Sequence, residues 1–193
     1  MAKKKWTKHS QKLRPDHRWK SKPGYQIFVA NRGEVRFDFP VGWVMAPGED
    51  AHITIRDREA PDDDCLLQLS IWHLPEGVDW TGLPIARLLE EATNDDSRGS
   101  ITRGEVHYEK RADLELAWFE GRWIDPSENR DAISRACLAR GGDILPFITM
   151  DLWVDDLGRF GPVWDEVLRS LRLGDYVKDP RVGEVYRMDQ RHN

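Results

Sequence analysis

The sequence predicts one α+β domain, and three observations carry that prediction. Val35, Phe37 and Phe39 alternate with Arg36 and Asp38 up to a Pro40-x-Gly42 turn, the period of a strand with one wet face. Two longer runs, Cys65 to Leu74 and Leu114 to Ile124, are apolar on both faces, as a strand covered from two sides must be. Near the end, Phe160, Val163, Trp164, Val167, Leu168 and Leu171 recur at helical spacing.

A chain of 193 residues, 39% hydrophobic and 33% charged, supports one core with tails and is short for two ordinary domains. No apolar run approaches the roughly 18 residues a membrane span needs, and no apolar stretch follows the basic N-terminus, so the expected address is the cytoplasm. Cys65 and Cys137 stand apart in apolar runs with no Cys-x-x-Cys pairing, which favours two buried thiols; their redox state stays open.

Charge is unevenly spread. Residues 1–24 hold Lys3, Lys4, Lys5, Lys8, Lys12, Arg14, Arg18, Lys20 and Lys22 against Asp16 alone, a net +8, so a total of −5 leaves −13 on the remainder. With only Trp6, Leu13 and Trp19 as sizeable apolar groups, this segment is expected to be a flexible basic tail. Pro23-Gly24 marks its end. The domain is expected over 25–174, followed by a polar C-terminal tail, 175–193.

Within the domain, Val35–Phe39 and the alternating Ile53 and Ile55 read as peripheral strands, and the two doubly apolar runs as interior ones. Ile85, Leu88, Leu89 and Ala92 behind Pro84 predict a short amphipathic helix over 84–93. Ile133–Arg140 and Ile144–Trp153 flank Gly141-Gly142-Asp143 and predict a β-hairpin. The closing helix is expected to start near Asp156, its carboxylate accepting backbone N–H groups, and to stop at Gly174.

At Phe37-x-Phe39-Pro40-x-Gly42-Trp43, taken with Pro162-Val163-Trp164-x-x-Val167-Leu168-x-Ser170-Leu171, the chain resembles the PsbP-like superfamily over roughly residues 25–173. That group includes the PsbP subunit of photosystem II, a Ran-binding import factor and DcrB-like bacterial proteins. The resemblance implies an antiparallel sheet between helices in an α/β/α sandwich, and a binding or assembly role instead of catalysis. It transfers no site residue, because its motif residues serve the core.

The chemistry-bearing residues form no recognisable set. None of the six histidines makes a His-x-His or His-x-x-x-His pair, and the nucleophile-elbow and phosphate-loop patterns are missing, so no catalytic residue, metal ligand or cofactor is assigned and the expected protein is not an enzyme. Asp62-Asp63-Asp64 reads as a solvated turn. Glu120 and Arg122 read as a structural ion pair, and His73 as a hydrogen-bonded core histidine. Of nine tryptophans, Trp43, Trp118, Trp153 and Trp164 are assigned to the core, whereas Trp72, Trp80 and Trp123 are candidate partner-binding residues.

Two functional readings follow. One is a protein-binding adaptor, assembly factor or chaperone-like module. The other is RNA or ribosome association through the tail, its lysines and arginines neutralising phosphates while Trp6, Trp19, His9 and His17 stack on bases. A third use of the tail is to fold back on its own acidic body or a neighbouring subunit. Oligomeric state and partner identity are not legible.

Overall fold

In the computed structural model, residues 7–47, 52–94 and 101–184 are described. Lys3, Lys4, Lys5 and Trp6 therefore lie outside the described residues. A hairpin of β1 (Tyr25–Ala30) and β2 (Val35–Pro40) opens the domain, followed by β3 (Val44–Pro47), β4 (Ile53–Arg56) and β5 (Cys65–His73). Helix α1 (Ile85–Ala92) precedes the short β6 (Thr102–Arg103) and β7 (His107–Lys110). Then come the long strands β8 (Glu115–Asp125), β9 (Arg130–Arg140) and β10 (Ile144–Trp153), helix α2 (Leu157–Ser170) and β11 (Arg172–Leu173).

The strands form two antiparallel sheets. Eight of them run in the order β3-β4-β5-β10-β9-β8-β6, with β7 also paired to β8; the other three run β1-β2-β11. Register explains why the interior strands are apolar on both faces. One row crosses the large sheet through Ile53, Leu69, Ile148, Cys137 and Trp118. Beneath α2 and the small sheet it joins Phe37, Phe160, Trp164 and Val167 in the main core. On the opposite face Ala117, Phe119, Ala136 and Leu138 pack against Ile85 and Leu89 of α1. The predicted sandwich of helix, sheet and helix is present, with a second, smaller sheet added to the α2 layer.

Several expectations change on folding. Strand β2 is central in its sheet, flanked by β1 and β11, and Asp38 is buried on it. Its N–H donates to Ser170 Oγ at 2.8 Å, and Ser170 Oγ donates to Glu166 O at 2.7 Å, tying β2 to the end of α2. Asp156 makes no side-chain capping bond; its carboxylate lies 3.6 Å from the Arg130 guanidinium after a 3-10 turn over Val154–Asp156. The helix stops at Ser170, before Gly174, because residues 172–173 pair with β2. Trp153 sits in a row with Ala132 and Trp123 on the face opposite the main core, under the Arg130 guanidinium at 4.7 Å.

Described segments on either side of the strands and helices also pack. His17 and Trp19 are buried, as are Tyr176 and Val177. The Trp19 N–H donates to His17 Nδ1 at 2.9 Å, which leaves Nε2 to carry the ring proton and donate to Pro180 O, also at 2.9 Å. Arg36 lies 4.9 Å over the Trp19 ring and 3.2 Å from Asp175. A single buried indole removes roughly 150–250 Å² from water, about 4–6 kcal/mol gross at ~25 cal/mol per Å². That outweighs the average composition on which the reading of a flexible segment rests. The 174–177 stretch hangs on the β1–β2 turn, with Gly174 N–H donating to Glu34 O at 3.0 Å and Val177 N–H to Arg32 O at 2.8 Å. Only glycine fits at position 33 of that turn: φ is 115° and a Cβ would stand 2.1 Å from Asp175 O.

Candidate functional site

Most charged side chains inside the domain are held in pairs, Asp38 excepted. Glu120 accepts from Arg135 Nε at 3.1 Å and Nη2 at 2.9 Å, with Arg122 at 3.4 Å. Arg135 thus ends the apolar row Ile55, Leu67, Met150 with an ion pair under α2. The acidic loop is partly paired: Asp63 with Arg56 at 2.5 Å, Asp64 with Arg58, and Asp57 with Arg58 at 3.3 Å and Arg159 at 3.5 Å. Asp57 Oδ1 also accepts the N–H groups of Asp64 and Cys65, closing the loop between β4 and β5. His73 is not a core residue. It sits at the exposed end of β5, where its Nε2 meets Glu34, a carboxylate that also accepts from Asn31.

Burial pushes both the Cys65 and Cys137 thiols up, so neither is a ready nucleophile. Glu166 is held low by hydrogen bonds from Arg169, with Lys22 at 3.9 Å adding to the effect. Asp38 moves the other way: burial raises it, although the Lys22 N–H partly offsets the penalty. Its Oδ1 has no hydrogen-bond partner among the described residues. A carboxyl raised in the folded state loses stability as pH rises through its folded value. Asp38→Asn is therefore expected to stabilise the domain by about 1–2 kcal/mol at pH 7 and to be neutral at pH 3, read by urea denaturation at both values. No gain at pH 7 would show that the carboxylate is better solvated than its burial implies. Among the described residues no three His, Cys, Asp or Glu side chains converge as a metal site.

The three candidate tryptophans separate. Trp72 is 46% exposed at the end of β5 and stacks on Phe147, centroids 5.9 Å apart and planes at 15°. Trp80 is half-buried, its Nε1–H donating to Pro75 O at 3.0 Å. Trp123 is half-buried in the row with Ala132 and Trp153. Only Trp72 presents a broad aromatic surface.

The described basic residues of the first segment also separate. Lys22 is bound to α2 through Glu166 and lies over the Tyr25 ring at 5.2 Å. Lys8 Nζ donates to Met45 O at 3.2 Å, and Lys20 Nζ to Pro15 O at 2.8 Å. Lys12, Arg14 and Arg18 extend the same strap. With Trp19 and His17 buried, neither ring is available to stack on a base. The described part of the segment lies against the domain, largely through bonds to backbone carbonyls, with Lys22–Glu166 as its ion pair to an acidic side chain.

Under residues 7–15 opens a cavity of about 1260 Å³, walled by Tyr25–Ala30 on one side and by Trp43, Met45 and Ala46 on the other. Sequence reasoning missed it, since it lies between two sheet edges that only the tertiary fold brings together.

Residues 26–177 match the Alr1449 family. The chain belongs to the Alr1449 family. The similarity runs the length of the molecule: alr1449 of Nostoc sp. is 42% identical over 192 residues, 96% of this chain and 99% of that protein. Solved structures place this Alr1449-family chain in the PsbP-like fold. Cyanobacterial PsbP (CyanoP) from Synechocystis sp. superposes with a TM-score of 0.57 at 16% identity, over 79% of this chain and 94% of that one. The Ran-binding protein Mog1p of Saccharomyces cerevisiae gives 0.52 at 8% identity, over 77% and 95%. At such identities the likeness is one of fold. No described helix of this Alr1449-family protein is long and apolar enough to cross a membrane.

Proposed function

We propose that this Alr1449-family protein is a non-enzymatic protein-binding module, an adaptor or assembly factor that acts in the cytoplasm through its surface. The observation that carries this reading is Trp72. Its ring is half in solvent yet already fixed against Phe147, so a partner covering it gains a large apolar area without paying to order the side chain. Val78, in the loop that follows β5, is a second exposed apolar side chain, 51% exposed. Further support comes from the paired state of most interior charges and from a fold shared with a Ran-binding protein. The two free, buried thiols fit a reducing compartment.

The test is cross-linking in native lysate followed by quantitative recovery. Trp72→Ala is expected to reduce the major cross-linked protein at least tenfold, while Ile124→Ala, at another exposed apolar site, leaves it unchanged. Equal recovery with both variants would remove Trp72 as the contact.

A further inference from the structure

Two sheet edges face each other across the cavity beneath the N-terminal strap. β1 is an edge of the small sheet and β3 an edge of the large one. Eight consecutive residues, 25–32, line the cavity without a gap. Alternating side chains alone would contribute every second residue, so the strand edge itself forms the wall.

The direction of the backbone groups follows from the ladder. Ile27 pairs with Asp38, and the Asp38 N–H points away from β1 to Ser170 Oγ. That pair is therefore a non-hydrogen-bonded one, and the N–H and C=O of Ile27, like those of Val29 two residues on, point outward into the cavity. Val41 N–H donating to Gly24 O at 2.9 Å gives the same phase, and the outward N–H of Tyr25 is already taken by Lys22 O. On the facing edge, Met45 O is occupied by Lys8. Among the described residues, the outward groups of Ile27 and Val29 on the β1 edge are the ones left to pair.

The walls are cationic. Lys8, Arg14, Lys20, Arg32 and Lys178 line the cavity, and the one carboxylate among its described lining residues, Asp179, is held by Arg181 at 3.0 Å. Ile27, Val29, Trp43 and Met45 supply apolar surface. At about 1260 Å³ the space exceeds the ~300–1,000 Å³ of ordinary small-molecule pockets and suits a stretch of polypeptide.

We propose that this cleft binds an extended acidic segment of a partner protein, which adds as a further strand to the outer edge of β1. Charge selects this occupant over the other two available. The first six residues carry three lysines, and residues 185–193 carry Arg187 and Arg191 against Asp189, so both ends of the chain have the wrong sign. A second copy presenting the same edge would set cation against cation. The proposal goes beyond the Trp72 surface and uses a different part of the molecule.

The experiment is titration of the full chain with an eight-residue peptide alternating glutamate and valine, followed by fluorescence anisotropy, with amide exchange read at Ile27 and Val29. The glutamate peptide is expected to bind, more weakly at high salt, and to protect both amides. A lysine–valine counterpart is expected not to bind. Methylating alternate peptide nitrogens, or introducing Val29→Pro, should each weaken binding about tenfold, because each removes an edge hydrogen bond and Val29→Pro leaves the β2 ladder intact. Lys20→Glu with Arg14→Glu tests the charge without touching the strand and is expected to weaken binding likewise. Equal binding of the methylated or the lysine peptide, or unprotected Ile27 and Val29 amides in the saturated complex, would overturn the proposal. Trp72→Ala is expected to leave peptide binding unchanged. Absent peptide binding alongside a Trp72-dependent complex would discard the cleft alone, and the reverse result would discard the Trp72 surface alone.

Discussion

Trp164→Asp is expected to abolish the folded state. The indole is fully buried in the main core, in edge contact with Trp118 at 6.1 Å, and shares that core with Phe37, Phe160 and Val167. Removing it forfeits about 3–5 kcal/mol through lost contacts and the cavity left behind. The aspartate adds a carboxylate with no partner in apolar surroundings, at a cost of several kcal/mol more. Together these are comparable with the ~5–15 kcal/mol by which domains are ordinarily stable. Circular dichroism at 25 °C should show no cooperative thermal transition. Trp164→Phe keeps a ring in place and should still melt cooperatively at a lower temperature. A near-native transition for Trp164→Asp would mean that the α2 layer is not what holds the large sheet.

Glu115→Ala is expected to destabilise the domain by about 3–5 kcal/mol at pH 7, a fall of roughly 10 °C in melting temperature. Glu115 opens β8 directly across from Arg140 at the end of β9. Both side chains are largely buried, with Arg140 Nη2 2.5 Å and Nε 2.7 Å from Glu115 Oε1, while Tyr108 O–H donates to Oε2 at 2.8 Å. Alanine leaves the guanidinium with little beyond Gly142 O, 3.4 Å from Nη1. Burial works against the Glu115 carboxylate, yet the hydrogen bonds from Tyr108 and Arg140 prevail and hold it below the usual range. A depressed carboxylate contributes stability above its unfolded-state value and loses that contribution as pH falls through the folded one. The difference between wild type and Glu115→Ala should therefore shrink below about pH 4. Glu115→Leu combined with Arg140→Leu should recover most of the loss, since a well-packed apolar pair replaces a buried ion pair at little cost. A pH-independent difference would assign the effect to packing.

Some of this architecture was legible from local periodicity. The doubly apolar runs became β5 and β8, each with strands on both sides; the Gly141-Gly142-Asp143 turn became the β9–β10 hairpin; and both helices lie where their apolar spacing placed them. The chain ends were less legible. Composition averaged over 24 residues hid that His17 meets Pro180 and Gly183 and that Trp19 is buried beneath the Arg36 guanidinium, long-range fits that no window of sequence contains. Trp153 shows the same limit: alternation gives its parity along β10, but which parity faces the main core is set by the strands beside it.

Sequence by itself determined the apolar pattern, and with it the helices, the interior strands and the layered α+β arrangement, because those follow from which side chains must leave water. Only the tertiary structure decided that a second sheet joins the α2 layer, that the basic strap closes over it, and that two strand edges enclose a cationic cleft. Those features depend on backbone hydrogen bonds and charge contacts between residues far apart in the chain, whose partners are fixed only when the layers come together.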